Sequence, residues 1–521
     1  MEDNGMITAG GAKEIVNPCW DLQSSNYIRD TSIDSAEYVK LYQQGGFNPT
    51  NSPVAQTDWH FRMSDLNSWY LMAQSFFEFN FTITDQTEEP AETTINLVYP
   101  SDMRCLFKNV QLDLNSVAIE SNNQNAFMFY NIDRAFMSRQ YIETAGSMGG
   151  QFLTDVKWDN PALLGSNASR AFGINNAAGD DAGAYNGDLA RLQTYAKKRV
   201  LCNIPLGADP TQSTQCTLRV AMPDIFNFYR YWTRVQKGLD TQVRFTTVGD
   251  GAFLTDRRRH TTGEGGAPRP AGDYRMDWAG AGITWWCRSL KPSPRVEAGL
   301  NAMLQKGAEI FCPFETAKVY NFSPASGNQS YRIVNESSRV MRMIVAFQRK
   351  TTQTSTDDIS VLQMPDGMDS FTAFVNGKKV PSIDMRVRSC EPPPHQGFRI
   401  DGGVVSDPKF DYTELYHRFL LQTGTYNSAF KNNYSKGSGA LGYVDWSSVS
   451  PFVTFDLSQN AIGDISGSNS EIVLNYNHVS KGNVQTETYT PLEAYNMYCV
   501  VYTERVVSLN LAESSSYVAI R

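Results

Sequence analysis

The 521-residue chain lacks an excess of basic residues. Lys and Arg total 46 against 54 Asp and Glu, which gives a formal charge of −8 at pH 7. The first 40 residues are also more acidic than basic. Because binding to phosphate backbones depends on Lys and Arg, we do not expect direct, sequence-specific binding of nucleic acid, and the N-terminus is not a basic packaging arm.

Long hydrophobic runs are also missing. The longest, such as residues 343–347, are far shorter than the ~20 residues that cross a bilayer. No basic segment followed by an apolar stretch opens the chain, so a secretory signal peptide is not expected. We predict a soluble protein that is not secreted by that route, and the sequence leaves contact with a membrane open.

Histidine is scarce, and no Gly-x-Ser-x-Gly motif is present. Since a hydrolase needs a base and an activated nucleophile, we predict that the protein is not an enzyme, with no catalytic, cofactor-binding or metal-binding residues. His417 is expected to pack, or to lie beside a solvated Glu414–Arg418 pair on a helix, and His60 is expected to be structural. The five histidines are His60, His260, His395, His417 and His478.

Three polar segments are candidates for binding sites. Residues 180–188 are rich in oxygen ligands but lack the spacing of an EF-hand, so we interpret them as a solvated loop, with an incidental calcium site as the alternative. The Gly-rich segment 261–272 has no Lys-Ser/Thr and is not a phosphate loop. Arg257–Arg259 is interpreted as a solvated loop face, with contacts to another subunit, a minor protein or nucleic acid as alternatives.

The eight cysteines include no Cys-x-x-Cys pair, and several lie in apolar, strand-like segments. We expect reduced, buried thiols in a cytosol-like compartment, with a disulfide or metal role as the alternative.

Alternating apolar and polar residues dominate the chain, as in residues 110–114, 341–347 and 472–476. This period of two is typical of strands with one buried face. The alternation predicts an all-β, mainly antiparallel protein. The best helix is Pro294–Lys306, which has Ser293 before it and Gly307 after it, and we interpret it as a connector between two strand-rich halves.

The two halves repeat one order of features. A strand with an Asn-Ser or Asn-Gly turn precedes an aromatic helix, a long Gly-, Asn- and Ser-rich insertion, and further strands. We predict two tandem jelly-roll β-sandwiches. The domains are an extended arm (1–50), a first jelly roll (51–290, insertion about 138–196), a connecting helix (291–307) and a second jelly roll (308–521, insertion about 422–449).

Aromatic residues cluster near the end of the first half. We interpret them as core and interface residues, with a carbohydrate-binding platform as the alternative. They are Phe226, Phe228, Tyr229, Tyr231, Trp232, Trp285 and Trp286.

Several phrases of the sequence resemble one family. They include LRVAMPDIFNFYRYWTRVQKGLDTQVRFTTV, WWCRSLKPSPRVEAGLNAMLQKG, AFVNGKKVPSIDMRV and DYTELYHRFLLQTG. In this order they resemble the double jelly-roll major capsid proteins of the tectivirus–adenovirus lineage, most closely the Polinton/Maverick and adintovirus-like members. The likeness covers roughly residues 27–515.

The resemblance implies a major capsid protein without catalytic residues or cofactor, which forms homotrimeric pseudo-hexameric capsomers that tile an icosahedral shell. Partners would be neighbouring copies and capsomers, together with penton and minor capsid proteins. The protein would be assembled in an infected cell and located in the virion. The alternatives are a carbohydrate-binding or adhesion β-sandwich of a spike or vertex, and, third, a sandwich-fold glycoside hydrolase.

Overall fold

The structure is a computed structural model. It describes residues 6–7, 13–14, 32–45, 57–65, 67–85, 98–100, 102–122, 125–138, 141–142, 144–150, 213–248, 254–256, 274–305, 309–334, 339–350, 362–365, 367–390, 399–400, 403–404, 409–423, 443, 446, 450–457, 471–479, 492–510 and 517–520.

Eight strands form the first sandwich, a pair of antiparallel sheets. They are β1 (Ile33–Leu41), β2 (Asp58–Met63), β3 (Phe76–Asp85), β4 (Phe107–Leu114), β5 (Val117–Asn122), β6 (Ser213–Ala221), β7 (Thr241–Thr247) and β8 (Tyr274–Pro292). One sheet has the order β1-β8-β3-β6, and the other has the order β2-β7-β4-β5. The short strand Trp69–Tyr70 also pairs with β8.

Eight further strands form the second sandwich. They are β9 (Glu309–Phe322), β10 (Gly327–Val334), β11 (Arg339–Arg349), β12 (Met368–Val375), β13 (Lys378–Arg386), β14 (Phe452–Asp456), β15 (Glu471–His478) and β16 (Tyr495–Asn510). The sheets have the orders β9-β16-β11-β14 and β10-β15-β12-β13. The strand Tyr517–Ile520 pairs with the end of β16.

The two sandwiches share one topology. When each is numbered from its own first strand, one sheet reads 1-8-3-6 and the other 2-7-4-5 in both halves. This crossing pattern of two four-stranded sheets is that of a jelly roll. The prediction of an all-β fold with two tandem jelly rolls is therefore confirmed.

Equivalent hairpins join the fourth and fifth strands of each sandwich. The turns lie at Asn115–Ser116 and Asn376–Gly377, with φ of 47° and 66° in the first and 48° and 77° in the second. Asn and Gly tolerate this left-handed region better than most residues, so the predicted turn positions are correct.

Five helices have both of their ends within the described residues. They are α1 (Ala126–Phe136), α2 (Met222–Ile225), α3 (Asn227–Tyr231), α4 (Pro294–Gln305) and α5 (Thr413–Gln422). Helix α4 lies between β8 and β9, as the predicted connector requires. Helices α1 and α5 each follow the fifth strand of their sandwich and begin the long insertions, which fall largely outside the described residues.

Other elements are short. The 3₁₀ turns are Met72–Gln74, Met103–Leu106, Gly146–Gly149 and Leu492–Ala494, and the remaining strands are Met6–Ile7, Lys13–Glu14, Val98–Pro100, Leu254–Asp256, Arg388–Cys390, Arg399–Ile400, Gly403–Val404 and Lys409–Asp411. No helix in the described part of the chain is both long enough and apolar enough to cross a membrane.

Strand β1 lies inside the segment assigned to an extended arm. It pairs with β8 along most of its length, so residues 33–41 belong to the first sheet. The strand is at the sheet edge and its first six residues are exposed, which explains why the alternation of buried and exposed residues is weak there. The remaining domain limits stay predictions.

Large aromatic side chains fill the core of the first sandwich. Phe77 of β3 stacks on Trp285 of β8 at 5.4 Å between ring centroids, and Phe77 also meets Phe245 of the facing sheet at 5.0 Å. These side chains are fully buried. Burial of such rings contributes a large part of a sandwich's stability.

The cysteines only partly match the prediction. Cys105, Cys287, Cys312 and Cys499 are free and buried, and burial raises the pKa of Cys287 and Cys499, so both thiols stay protonated. Cys216 is instead disulfide-bonded. The expectation of a reduced thiol is therefore wrong for Cys216.

Candidate functional site

The main candidate site is the contact between the two sandwiches. Along β16, side chains alternate between the core of the second sandwich and the opposite face of the sheet. Tyr498, Val500 and Tyr502 point to that opposite face, and all three are at most 2% exposed. This sheet is thus covered on both sides. The first sandwich covers the outer face along β16, and Phe419 of α5 and Trp446 cover Phe452 of β14 on the same face.

Aromatic side chains of the first sandwich provide the cover. Phe127 of α1 meets Tyr498 edge-on, with ring centroids 5.9 Å apart, and Phe129 lies 6.1 Å from Tyr502. Phe228 of α3 meets Phe314 of β9 edge-on at 5.5 Å. Because the buried residues of both sandwiches form one apolar cluster, the two sandwiches are held together as core elements are.

The positively charged side chain of Arg342 lies partly buried at this contact. The Arg342 guanidinium of β11 lies 4.1 Å from the ring centroid of Tyr502 and 4.7 Å from that of Phe136 at the end of α1. Its Nη2 donates to Glu315 Oε2 at 3.1 Å. The planar guanidinium therefore links rings of both sandwiches while its charge is paired.

Helix α1 is buried on every side. Residues 126–135 are all buried, including the charged Asp133 and Arg134. A buried charge requires a partner, and Asp133 has two. Its Oδ2 accepts from Arg104 Nη1 at 2.8 Å and from Arg230 Nη2 at 2.6 Å, while its Oδ1 accepts from Arg230 Nη1 at 2.7 Å.

The same ionic network extends to the segment before β4. Arg104 Nη2 donates to Asp102 Oδ2 at 2.7 Å, and Arg104 Nη1 reaches the backbone oxygen of Asp224 at 3.3 Å. Burial disfavours ionisation of Asp133, but Arg230 and Arg104 hold the pKa of its carboxyl below the usual value. The network joins α1, α2 and α3 to the sandwich beneath them.

The beginning of the first insertion is tied to this network. The Tyr141 hydroxyl lies 2.8 Å from each carboxylate oxygen of Asp224, to which it donates. Burial and the Asp224 charge raise the pKa of Tyr141, so the phenol keeps its proton. The first residues of the insertion are therefore attached to the buried ionic network of the first sandwich.

Glu120 of β5 fixes the position of α3. Its carboxylate accepts the backbone N–H of Asn227 at 3.1 Å and that of Phe228 in a shorter contact. Burial raises the pKa of Glu120 to about 7, against the opposing effect of these two N–H groups, Arg230 and Arg505. Arg505 of the second sandwich also donates to the backbone oxygen of Ile119 at 3.4 Å. Glu120 thus lies where the sandwiches meet.

The histidines do not form a site in the described part of the chain. His60 is partly buried in β2, His478 is buried at the end of β15, and His417 is exposed on α5. As predicted, Glu414 and Arg418 form an ion pair, at 3.2 Å. His260, His395, residues 180–188 and Arg257–Arg259 lie outside the described residues, as does the Gly-rich segment 261–272.

No group of three or more His, Cys, Asp or Glu side chains that could hold a metal ion lies among the described residues. The expectation of no catalytic, cofactor or metal residue remains a prediction.

Most of the aromatic cluster is core, as predicted. Phe226, Phe228, Tyr229, Trp232 and Trp285 are at most 2% exposed. Tyr231 is exposed and Trp286 partly so. Since a carbohydrate platform needs accessible rings, the cluster as a whole cannot be one.

The ionic network was not predicted from the sequence. Its directly bonded members are separated by up to 120 residues, between Arg104 and Asp224, so no local spacing connects them. The available signal was the Asp133-Arg134 pair within an otherwise aromatic and aliphatic helix, because charges in such a helix must find buried partners.

Comparisons with known proteins agree on the fold. No protein-family model and no curated protein sequence matches the chain. A chain of the Sputnik virophage structure, determined by cryo-electron microscopy, aligns with a TM-score of 0.54 and 11% identity over 99% of this chain and 95% of that chain. PBCV-1 VP54, fitted into a Sputnik reconstruction, aligns with a TM-score of 0.48 and 10% identity over 95% of this chain and 99% of that chain. The mavirus major capsid protein aligns with a TM-score of 0.46 and 10% identity over 98% of this chain and 95% of that chain.

The alignment with the Sputnik chain extends over both sandwiches. The shared feature is therefore the complete two-sandwich arrangement, as the resemblance to double jelly-roll proteins implied. Membership of the Polinton-like group remains a prediction.

Proposed function

We propose that the protein is a non-enzymatic major capsid protein. Three copies would form a pseudo-hexameric capsomer, and capsomers would tile an icosahedral shell in the virion. Penton and minor capsid proteins would be further partners. The protein would act through its shape, with no catalytic residue or cofactor.

The observation that carries this proposal is the asymmetric contact between two like sandwiches. The side of the first sandwich that bears α1 and α3 covers the outer sheet face of the second, so the contact joins different surfaces of equivalent units. Head-to-tail contacts of this kind form a ring where the rotation between units closes, and an open filament where it does not. A ring of six sandwiches, two from each chain, has the symmetry of a trimer and the outline of a hexamer.

The comparison supports the same function. The Sputnik chain, which aligns over nearly the whole of both chains, comes from the structure of a virus particle. The comparison supports the proposal through the similarity in fold alone. The geometry of the contact between the two sandwiches is a separate observation.

Light scattering on the purified protein tests the proposal. We expect a mass near three times 58.3 kDa, because obligate subunit contacts bury about 2,000–5,000 Å² and leave little free monomer. Electron micrographs should show six-lobed particles roughly 5–7 nm wide, the size expected of packed sandwiches. A stable monomer in dilute solution contradicts the proposal, and binding on a glycan array by such a monomer favours the adhesion alternative.

A further inference from the structure

The hairpin between the fourth and fifth strands is tied to the beginning of the seventh strand in the same way in both sandwiches. In the second sandwich, the backbone N–H of Asn376 donates to the backbone oxygen of Glu471 at 2.9 Å, and the backbone N–H of Glu471 donates to Asn376 Oδ1 at 2.8 Å. In the first sandwich, Asn115 and Asp240 form the same two bonds, each at 2.8 Å. We name Asn115 with Asp240 the first clamp, and Asn376 with Glu471 the second clamp.

Each clamp is extended by an ion pair with the second strand of its sandwich. Arg62 Nε of β2 lies 2.9 Å from Asp240 Oδ1, and Arg332 Nε of β10 lies 2.9 Å from Glu471 Oε1. The turn, the seventh strand and the second strand therefore have equivalent partners in both halves. The chain thus contains two versions of one arrangement, and a difference in their chemistry must come from the few features that they do not share.

The hydrogen bond to Oδ1 bears on the reactivity of the side-chain amide. When a nucleophile attacks the carbon of a carbonyl group, negative charge develops on the oxygen, and an N–H group that donates to this oxygen stabilises the charge. In the second clamp the donor is the backbone N–H of Glu471, 2.8 Å from Asn376 Oδ1. The contact therefore assists attack on the Cγ atom of Asn376.

The backbone nitrogen of the following residue, Gly377, is the nucleophile that the chain itself supplies. Its attack forms a bond between this nitrogen and Cγ of Asn376 and breaks the Cγ–Nδ2 bond. The attacking nitrogen gives up its proton to solvent, Nδ2 takes one up, and ammonia leaves. Water then opens the resulting five-membered imide ring at one of its two carbonyl carbons, which yields aspartate or isoaspartate at this position.

Two features separate the second clamp from the first. Gly377 has no side chain, whereas Ser116 at the same turn position carries a Cβ atom that crowds its own backbone nitrogen and restricts the backbone rotation needed for attack. Asn376 and Gly377 are both exposed, whereas Asn115 is partly buried. Because proton transfer and ring opening both need water, the second clamp is the one in which the reaction can run to completion.

We propose that Asn376 is a site of spontaneous deamidation in the folded protein, and that Asn115 at the equivalent turn is not. The only co-reactant is water. The inference concerns the chemical ageing of the chain and does not depend on the proposed capsid function.

The isoaspartate product would break the second clamp. In isoaspartate the former side-chain carbonyl is part of the main chain, so the two-residue turn becomes longer and the backbone N–H of Glu471 loses its acceptor. The aspartate product keeps an acceptor oxygen at the same place. Protein that contains isoaspartate should therefore unfold at a lower denaturant concentration than fresh protein, because its β12–β13 hairpin is no longer tied to β15.

Storage of the purified full-length protein at neutral pH tests the proposal. Samples taken over several weeks are digested at acid pH, which stops the reaction during work-up, and the peptides are analysed by mass spectrometry. The peptide that contains Asn376 should gain the mass difference between an amide and a carboxyl group and should become a substrate for isoaspartyl methyltransferase. The peptide that contains Asn115 should remain unchanged, and isoelectric focusing of the intact protein should show one additional negative charge.

Gly377→Ser is the matched variant. It gives the second clamp the Asn-Ser turn that the first sandwich already accommodates with Ser116 at a φ of 66°, and a Cβ atom at position 377 meets no other atom within 4 Å. Circular dichroism should show unaltered β structure, and deamidation of Asn376 should fall to the level found at Asn115. Deamidation at the original rate would overturn the role assigned to Gly377. The comparison of the two turns in the unaltered protein needs no variant, so it decides the proposal even where Gly377→Ser does not fold.

A parallel sample in denaturant tests the contribution of the fold. Denaturation removes the hydrogen bond to Oδ1, so Asn376 should react no faster there than in the folded protein. Faster reaction in denaturant would mean that the clamp protects the amide, and the proposal would be overturned. Equal modification of Asn115 and Asn376 in the folded protein, or no modification of either, would overturn it as well.

Discussion

Glu120→Gln should change how stability depends on pH. The carboxyl has a pKa near 4.5 in an unfolded chain and about 7 in the folded protein, because it is buried between the sandwiches. Between these values the folded state binds more protons than the unfolded state, so the free energy of unfolding falls as pH rises. The difference of about 2.5 pKa units corresponds to roughly 3–4 kcal/mol, at ~1.4 kcal/mol per unit. This contribution is fully present below pH 4.5 and is lost by about pH 7.

The Gln side chain cannot ionise, so the variant should lack this part of the pH dependence. Below pH 4.5 the protonated carboxyl of the unaltered protein and the amide of the variant each offer one carbonyl oxygen to the two backbone N–H groups at the start of α3, so the two proteins should have similar stability there. The expected result is that Glu120→Gln is about as stable as the unaltered protein at pH 4 and more stable by roughly 3 kcal/mol at pH 8, where the buried carboxyl of the unaltered protein is ionised.

Chemical denaturation at a series of pH values, at one protein concentration, measures this difference. Other carboxyl groups titrate in both proteins, so the quantity of interest is the difference between the two curves. Glu471→Gln is the control, since this carboxylate is exposed and pairs with Arg332 at the surface. Parallel curves for Glu120→Gln and the unaltered protein would refute the reasoning, because they would mean that Glu120 has the same pKa in both states.

Three further predictions concern the same contact. Asp133→Asn should lower the free energy of unfolding by about 3–5 kcal/mol, measured by denaturant titration, because the guanidinium of buried Arg104 and that of Arg230 lose a shared carboxylate; an unchanged midpoint would contradict the network. Arg342→Lys should cost about 1–2 kcal/mol in the same assay, since an ammonium cannot stack on both rings. A double-mutant cycle on Phe127→Ala and Tyr498→Ala should give a coupling of about 0.5–1.5 kcal/mol, and additive effects would show that the rings do not interact.

The fold was largely predictable because its signals are local and occur twice. Alternation marks strands such as β7, whose buried and less buried residues follow one another strictly, and Asn376–Gly377 marks a hairpin. Because strands, turn and helix follow the same order in both halves, the sequence favours two copies of one topology over two unrelated domains. The edge strand β1 was missed because its first six residues are exposed on both faces of the sheet, so burial imposes little pattern on its sequence.

The candidate site was less predictable because its contacts join distant parts of the chain. The Phe127–Tyr498 contact and the Arg505–Ile119 hydrogen bond each connect residues several hundred positions apart. One sequence records that most residues of α1 are aromatic or aliphatic, which indicates burial, but it does not record the surface that buries the helix. The raised pKa of Glu120 likewise arises from neighbours of the folded state.

The two insertion helices differ in how far the rest of the chain buries them. Helix α1 is buried between the two sandwiches of its own chain, so its contacts form during folding and its charged Asp133 is paired inside the protein. Helix α5 is buried on one side only, where Phe419 meets Phe136 of α1 edge-on at 5.1 Å between ring centroids. On its other side Glu414 and His417 are exposed. A helix that keeps one side in solvent needs polar residues there, whereas a helix enclosed between two sandwiches does not, and this explains why aromatic and aliphatic residues surround most of α1 but only part of α5.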